Sequence, residues 1–112
     1  MSSFISALSG STAVLLGAFG AHGLKSLKVE PSLLATWATA SQYHLIHSVA
    51  LLYVSRIQTP AGVLSTRLFA SGTALFSGSL YLLVLTGIKP LGAITPIGGL
   101  VLACAWASVA WL

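Results

Sequence analysis

The sequence predicts an all-α fold, a bundle of four transmembrane helices forming a single membrane domain over residues 1–112. Three observations predict it. Only 5% of the residues are charged and 56% are hydrophobic, against about 25% charged in an ordinary soluble domain. Mean hydropathy is +0.97, so a water-soluble fold of this size would lack the polar groups to cover its surface. The 112 residues also accommodate four apolar spans of about 20 residues each, joined by short connections.

The first span is expected at about residues 4–24. Ser6, Gly10, Ala13, Gly17 and Ala21 recur along it at helical spacing and share one face. In lipid, where the hydrophobic effect does not drive helices together, such a face lets backbones approach. It predicts a central place for the first helix. Gly20 and Gly23 favour a turn at its end. The N-terminus has neither a basic region nor a small-residue cleavage site, so this stretch reads as a retained span. The second span is expected at about 32–55, after Pro31, and closes with Arg56. Thr59-Pro60 and Gly62 read as breakers before a third span at about 63–86, which Gly87 ends. In the fourth, at about 95–112, Thr95-Pro96 offers an N-cap followed by proline at the first helical position. The stretch 91–94 then forms irregular backbone or an extra turn. Gly99, Ala103, Ala107 and Ala110 make a second small-residue stripe.

Net charge is +4, from five Lys/Arg against the single acid Glu30. The cations stand singly near predicted helix ends, where they anchor to lipid headgroups. They form no basic patch, so nucleic acid is not an expected partner. Cys104, the one cysteine, excludes an internal disulfide and a cysteine-based zinc site, and reads as a small core residue.

The second span holds an unusual constellation, Ser41-Gln42-Tyr43-His44-Leu45-Ile46-His47-Ser48. On a helical wheel Trp37, Ala40, Ser41, His47, Ser48, Leu51 and Ser55 lie within about 60° of His44. A polar stripe at mid-depth must face protein or a water-filled cavity, because lipid satisfies none of it. The stripe is expected against the small-residue face of the first helix, Gly10, Ala13 and Gly17 meeting Ser41, His44 and Ser48. On that packing, Gly17→Leu would force the helices apart. His22, near the end of the first span, is the third histidine.

Three roles are open to His44 and His47: hydrogen bonding between helices, a proton or substrate path, and haem or metal ligation. Two histidines three apart could share a metal, yet no carboxylate or second cysteine completes a site, so neither a metal nor another cofactor is expected. With no Asp in the chain, a Ser-His-Asp triad and a mid-membrane carboxylate pair are excluded. There is no phosphate-binding loop or dinucleotide fingerprint. No catalytic residues are assigned, and the chain is not expected to be an enzyme. The outline resembles small proton-coupled drug exporters, but the first helix lacks the embedded Glu of that class.

Four ordered motifs carry a more specific resemblance. They are Gly17-Ala18-Phe19-Gly20-Ala21-His22-Gly23-Leu24, Tyr43-His44-Leu45-Ile46-His47-Ser48-Val49-Ala50-Leu51, Leu75-Phe76-Ser77-Gly78-Ser79-Leu80-Tyr81 and Thr95-Pro96-Ile97-Gly98-Gly99. Together they resemble the YgdD-like family of small bacterial inner-membrane proteins (domain of unknown function 423), whose eukaryotic relatives are called transmembrane protein 256. The tandem His44/His47 and the end of the chain at its last span look closer to the eukaryotic branch. The resemblance implies a mitochondrial location, the inner membrane favoured, with a bacterial inner membrane as the alternative. It brings no substrate or catalytic residue. Gly78 and Gly99 then read, with Gly17, as packing positions of a rigid bundle. The expected partners are membrane lipid and other membrane protein subunits, with respiratory complexes the natural ones for a mitochondrial location.

Overall fold

The helical course breaks where capping chemistry demands it. The computed structural model describes residues 2–112. Helix α1 runs Ser2–Ala18 and continues as a π-helical turn, Phe19–Leu24. Gly20 and Gly23, expected to favour a turn, widen the helix instead of ending it. It ends just beyond, where Val29 N–H donates to the Leu24 carbonyl and Lys28 N–H to that of Lys25. This is a Schellman motif, with Lys28 in the left-handed position at φ 59° and Val29 packed in the apolar cluster of Leu24.

Helix α2, Pro31–Val54, opens with proline in its first turn, where no N–H is missed. Helix α3, Pro60–Thr86, starts three residues before the expected position. Thr59 is its cap, accepting from the Gly62 N–H at 3.2 Å. Thr59-Pro60 is therefore a helix start and not a connection. Gly87 closes α3 at φ 70°, its N–H on the Leu83 carbonyl. A 3₁₀ turn, Lys89–Ala93, leads into α4, Thr95–Ser108, which ends in a second 3₁₀ turn, Val109–Trp111. Thr95 does not cap α4. It lies inside the first turn, and its hydroxyl sits 2.6 Å from that of Ser79.

The helices form an open antiparallel row: α1 packs on α2, α2 on α3, and α3 on α4, with no comparable interface between helices apart in sequence. The expected central place of α1 is thus corrected. Short connections keep sequence neighbours together, so the first and last helices become the edges. Only 11% of the apolar window of Ser3–Leu24 is buried.

Hydroxyls and small residues tie each interface. Between α1 and α2, Ser9 and Ser48 hydroxyls meet at 2.6 Å and Trp37 Nε1–H donates to the Leu16 carbonyl at 2.7 Å. Between α2 and α3, the Ser77 hydroxyl donates to the Ala40 carbonyl at 2.7 Å. Between α3 and α4, Ser79 meets Thr95 and Ser65 meets Ser108, each pair at 2.6 Å. The contact residues Ser65, Phe69, Gly72, Phe76 and Ser79 alternate steps of four and three, the spacing of a left-handed helix pair.

The close backbone approaches differ from those expected. Gly17 faces Ser41, but a Cβ there would lie 3.8 Å from the serine, an ordinary contact. A Cβ on Gly10 or Gly78 would meet nothing within 4 Å, and one on Gly99 only the Phe76 ring at 3.7 Å. Ala13 is buried but Ala21 is exposed. Between helices, a Cβ would collide at Gly20 with the Trp37 indole, at Gly72 with Leu102 at 2.8 Å, and at Gly98 with the backbone of Leu75 and Phe76. Gly98, Leu102 and Ala105 are the buried stripe of α4. Ala103, Cys104, Ala107 and Ala110 point away from α3 and are exposed, so Cys104 is not a core residue.

The interior has two apolar clusters with a polar band between them. Leu24, Trp37, Ala40 and Tyr81 fill one end. Leu51, Val54, Phe69, Leu102 and Ala105 fill the other. Between them lie buried His44, His47, Ser48, Thr73 and Ser77. Three stretches, Ser3–Leu24, Pro60–Thr86 and Lys89–Trp111, are long and apolar enough to cross a bilayer. α2 is long enough, but its central polar residues take it out of that set. Its crossing follows from its antiparallel place between α1 and α3.

A paired substitution tests the assignment of the tight positions. Gly98→Ala puts a methyl against the α3 backbone, which cannot rotate away, and should cost about 1–3 kcal/mol. Gly10→Ala fills open space in a helix interior and should stabilise by about 0.5–1 kcal/mol. Thermal unfolding in detergent reads both. Equal melting temperatures would contradict this packing.

Candidate functional site

The polar band is centred on α2, and its partners come mostly from α3. His44 is 9% exposed, and its Nδ1 lies 3.0 Å from the Tyr81 hydroxyl. In an antiparallel pair these positions are offset along the axis. They meet because helical side chains lean toward their own N-termini, which brings the two tips together. The Tyr81 ring also stands against Trp37, centroids 4.7 Å apart.

His47 is 5% exposed and takes a different partner. Its Nδ1 is 2.6 Å from the carbonyl oxygen of Tyr43, one turn back, so Nδ1 carries the hydrogen and donates. The ring stacks on Tyr43 and lies near Phe69 and Trp106. Ser48 donates to the His44 carbonyl at 2.7 Å. That uses its one hydrogen, so Ser9 is the donor in the bond between their hydroxyls. Ser41, half-buried, returns its hydroxyl to the Ala38 carbonyl and faces Gly17.

The structure brings His44, His47 and Ser48 into one band and leaves His22 out. His22 is exposed in the π-helical turn. It sits near the α2 level of Ala35, about 13 Å along the axis from His44. The expected opposition of the histidines to the first helix is also corrected. α1 contributes Ser9 and Gly17, while the imidazoles face Tyr81 of α3 and the aromatic rings of α3 and α4. A small-residue face offers close approach but no side-chain partner, so His44 takes the Tyr81 hydroxyl and His47 a carbonyl of its own helix.

Sequence reasoning missed Tyr81, Ser77 and Thr73. A signal for them exists, since Thr73, Ser77 and Tyr81 stand at steps of four on one face of an otherwise apolar helix. Among the described residues, no three His, Cys, Asp or Glu side chains come together in a way that could hold a metal ion. One nitrogen of each buried imidazole is engaged by the protein, so the band works as a set of interhelical and intrahelical hydrogen bonds.

Removing the Tyr81 hydroxyl isolates the contact to His44. Tyr81→Phe keeps the ring packing and should lower stability by about 0.6–1.7 kcal/mol, the range for such bonds in membranes. Tyr43→Phe, whose backbone carbonyl is the acceptor used by His47, should leave stability unchanged. Thermal unfolding compares the two, and the nitrogen chemical shift of His44 Nδ1 should move in Tyr81→Phe alone.

The model for the family described as "Protein of unknown function (DUF423)" matches residues 16–99. A UPF0382 membrane protein of Staphylococcus aureus is 43% identical, covering 91% of this chain and 85% of its own. The UPF0382 membrane protein YwdK of Bacillus subtilis is 42% identical, with coverage of 91% and 86%. One from the fission yeast Schizosaccharomyces pombe is 40% identical over 94% of both chains. No solved structure matches. With four motifs in order, a family match over most of its length and relatives named as membrane proteins, the chain belongs to the DUF423 family of small membrane proteins.

Proposed function

We propose that this integral membrane protein is an accessory or assembly subunit of a larger membrane complex, working by contact and without catalysis of its own. One side chain carries the reading. Gln42 lies at the middle of α2, about 160° around the helix from His44. It is exposed, and its amide has no hydrogen-bond partner among the described residues. The outward hydroxyls of Thr36 and Ser71 donate to a carbonyl one turn back in their own helix, whereas those of Ser11 and Thr39, like Gln42, have no partner among the described residues. An amide left without a hydrogen bond in an apolar medium costs about 2–7 kcal/mol. Lipid supplies no bond, whereas a polar side chain on another helix does. Exposed Ala35 and Ala38 beside Gln42 leave room for that helix.

The mitochondrial inner membrane is the proposed setting, with respiratory complexes as the partners that location suggests. The resemblance of the His44/His47 segment to the eukaryotic branch and a relative in fission yeast support it. A bacterial inner membrane is the alternative setting, and the bacterial relatives are named as membrane proteins. A proton-linked transporter fits the geometry less well. His47 is enclosed by Tyr43, Phe69 and Trp106, and its Nδ1 is held by a carbonyl of its own helix. Accordingly, ion flux in proteoliposomes should be unchanged by His44→Ala and His47→Ala, and a pH-dependent flux lost in these variants would favour transport.

Gentle detergent extraction and native gels test the main proposal. The protein should migrate with heterologous partners. Gln42→Leu should release it from them without lowering its melting temperature. Migration solely as a free monomer or homodimer, with no other protein recovered after crosslinking, would overturn the proposal.

A further inference from the structure

A groove of about 320 Å³ runs between α1 and α3, with α2 as its floor. Its α1 wall extends from Ile5 to Leu16, about 16 Å along the helix. Most of its lining is apolar, and no Lys, Arg, Asp or Glu borders it. The polar residues on it are Ser9, Thr12, His44, Thr73, Ser77 and Tyr81. Four of these are accounted for: Ser9 by Ser48, Thr12 by the Leu8 carbonyl, Ser77 by the Ala40 carbonyl and Tyr81 by His44.

Thr73 is the exception. It is 9% exposed, and its hydroxyl has no partner among the described residues. Thr12, Thr36, Thr66 and Thr86 all donate to the carbonyl four residues back. Thr73 forgoes that bond, as exposed Thr39 does, but Thr73 is buried. The second unpaired group is His44 Nε2. Among the described residues the Tyr81 phenol has no other acceptor, so donation to Nδ1 is the arrangement that satisfies it, and that places the ring hydrogen on Nε2. No fully buried side-chain nitrogen or oxygen among the described residues lacks a partner. The Thr73 hydroxyl and His44 Nε2 therefore keep some accessible surface, and the groove is the opening that both residues line.

The groove thus offers two hydrogen-bond donors in an uncharged apolar setting. Thr73 is the middle residue of Pro60–Thr86, and His44 is near the middle of Pro31–Val54. A phospholipid carries its ester carbonyls at the edge of a hydrocarbon core about 30 Å thick, half that thickness from these donors. The complementary ligand is a molecule immersed in the core that brings its own acceptor. We infer that the α1/α3 groove binds an uncharged, membrane-soluble carbonyl compound, with its ketone-type oxygen accepting from the Thr73 hydroxyl and from His44 Nε2–H. The volume is at the small end of the range for ligand pockets, which suits a slender chain or a single ring.

The test uses the isolated protein in phosphatidylcholine nanodiscs, so its outcome is separate from that of the complex proposed above. The probe is para-dodecylbenzophenone, a photoreactive ketone, with adducts mapped by mass spectrometry. Adducts should concentrate on groove residues such as Leu8, Leu16 and Ala70. Dodecyl phenyl ketone should compete, and dodecylbenzene, which lacks a carbonyl, should compete less. Thr73→Val should weaken the ketone's competition about two- to ten-fold, as expected for one lost hydrogen bond, and Thr73→Ser should retain it. Because the hydroxyl has no partner among the described residues, the melting temperature of Thr73→Val should not fall. If it does, Thr73→Ala provides the same comparison. Equal competition by ketone and hydrocarbon would show a groove that takes acyl chains alone and would overturn the inference. So would adducts spread evenly over the exposed faces, or unchanged ketone competition in the Thr73 variants.

Discussion

Lipid offers no hydrogen bond to a hydroxyl, an imidazole or an amide, and it gives apolar side chains no reason to leave it. A helix row in a bilayer is therefore held by close packing and by polar groups that find partners only in one another. Here α3 supplies most of those partners. Ser77 and Tyr81 bond to α2, and Ser65 and Ser79 bond to α4. Gly72 lets α4 approach between the two serine bridges, and Gly98 does the same from the other side. α3 is thus the spine of the molecule, and its polar residues are spaced to serve two neighbours from two faces.

The same constraint explains the layered interior. Apolar clusters fill the two ends of the row, and the polar residues gather between them at mid-depth. In a soluble domain this order would be costly, since water at the surface would compete for the polar groups. In a membrane the midplane is where a polar group can least rely on water, so it is where partners within the protein matter most. His44 and His47 fit this arrangement as hydrogen-bonding residues before any further role is considered.

An open row leaves both broad faces unsealed, and two of the side chains without a partner among the described residues lie on different sides of α2. Gln42 looks outward, where a protein partner would cover it. Thr73 and the free nitrogen of His44 border the groove toward α1, which is narrow for a helix and suits a small molecule. Contact with a partner and occupation of the groove are therefore separable properties of one small protein. Neither requires a catalytic carboxylate, and the only acid in the chain, Glu30, lies in a connection.

The sequence by itself determined the helical class, the number of helices, the connections and the inward facing of the His44 stripe. These follow from local rules: apolar run length, proline and glycine at helix ends, and the need of a polar stripe for protein partners. It misread Thr59-Pro60 as a break, because a cap and a connection use the same residues. Only the tertiary structure decided which helix meets the histidines, which glycines are close to a neighbour, and which helices form the edges. Small residues at helical spacing occur on α1, α3 and α4 alike, and spacing does not say which stripe is covered. Gly10 and Gly98 are the same residue type, yet one faces open space and the other a backbone. That difference is set by the register between helices, a long-range property fixed by hydroxyl pairs such as Ser79 with Thr95 and Ser65 with Ser108.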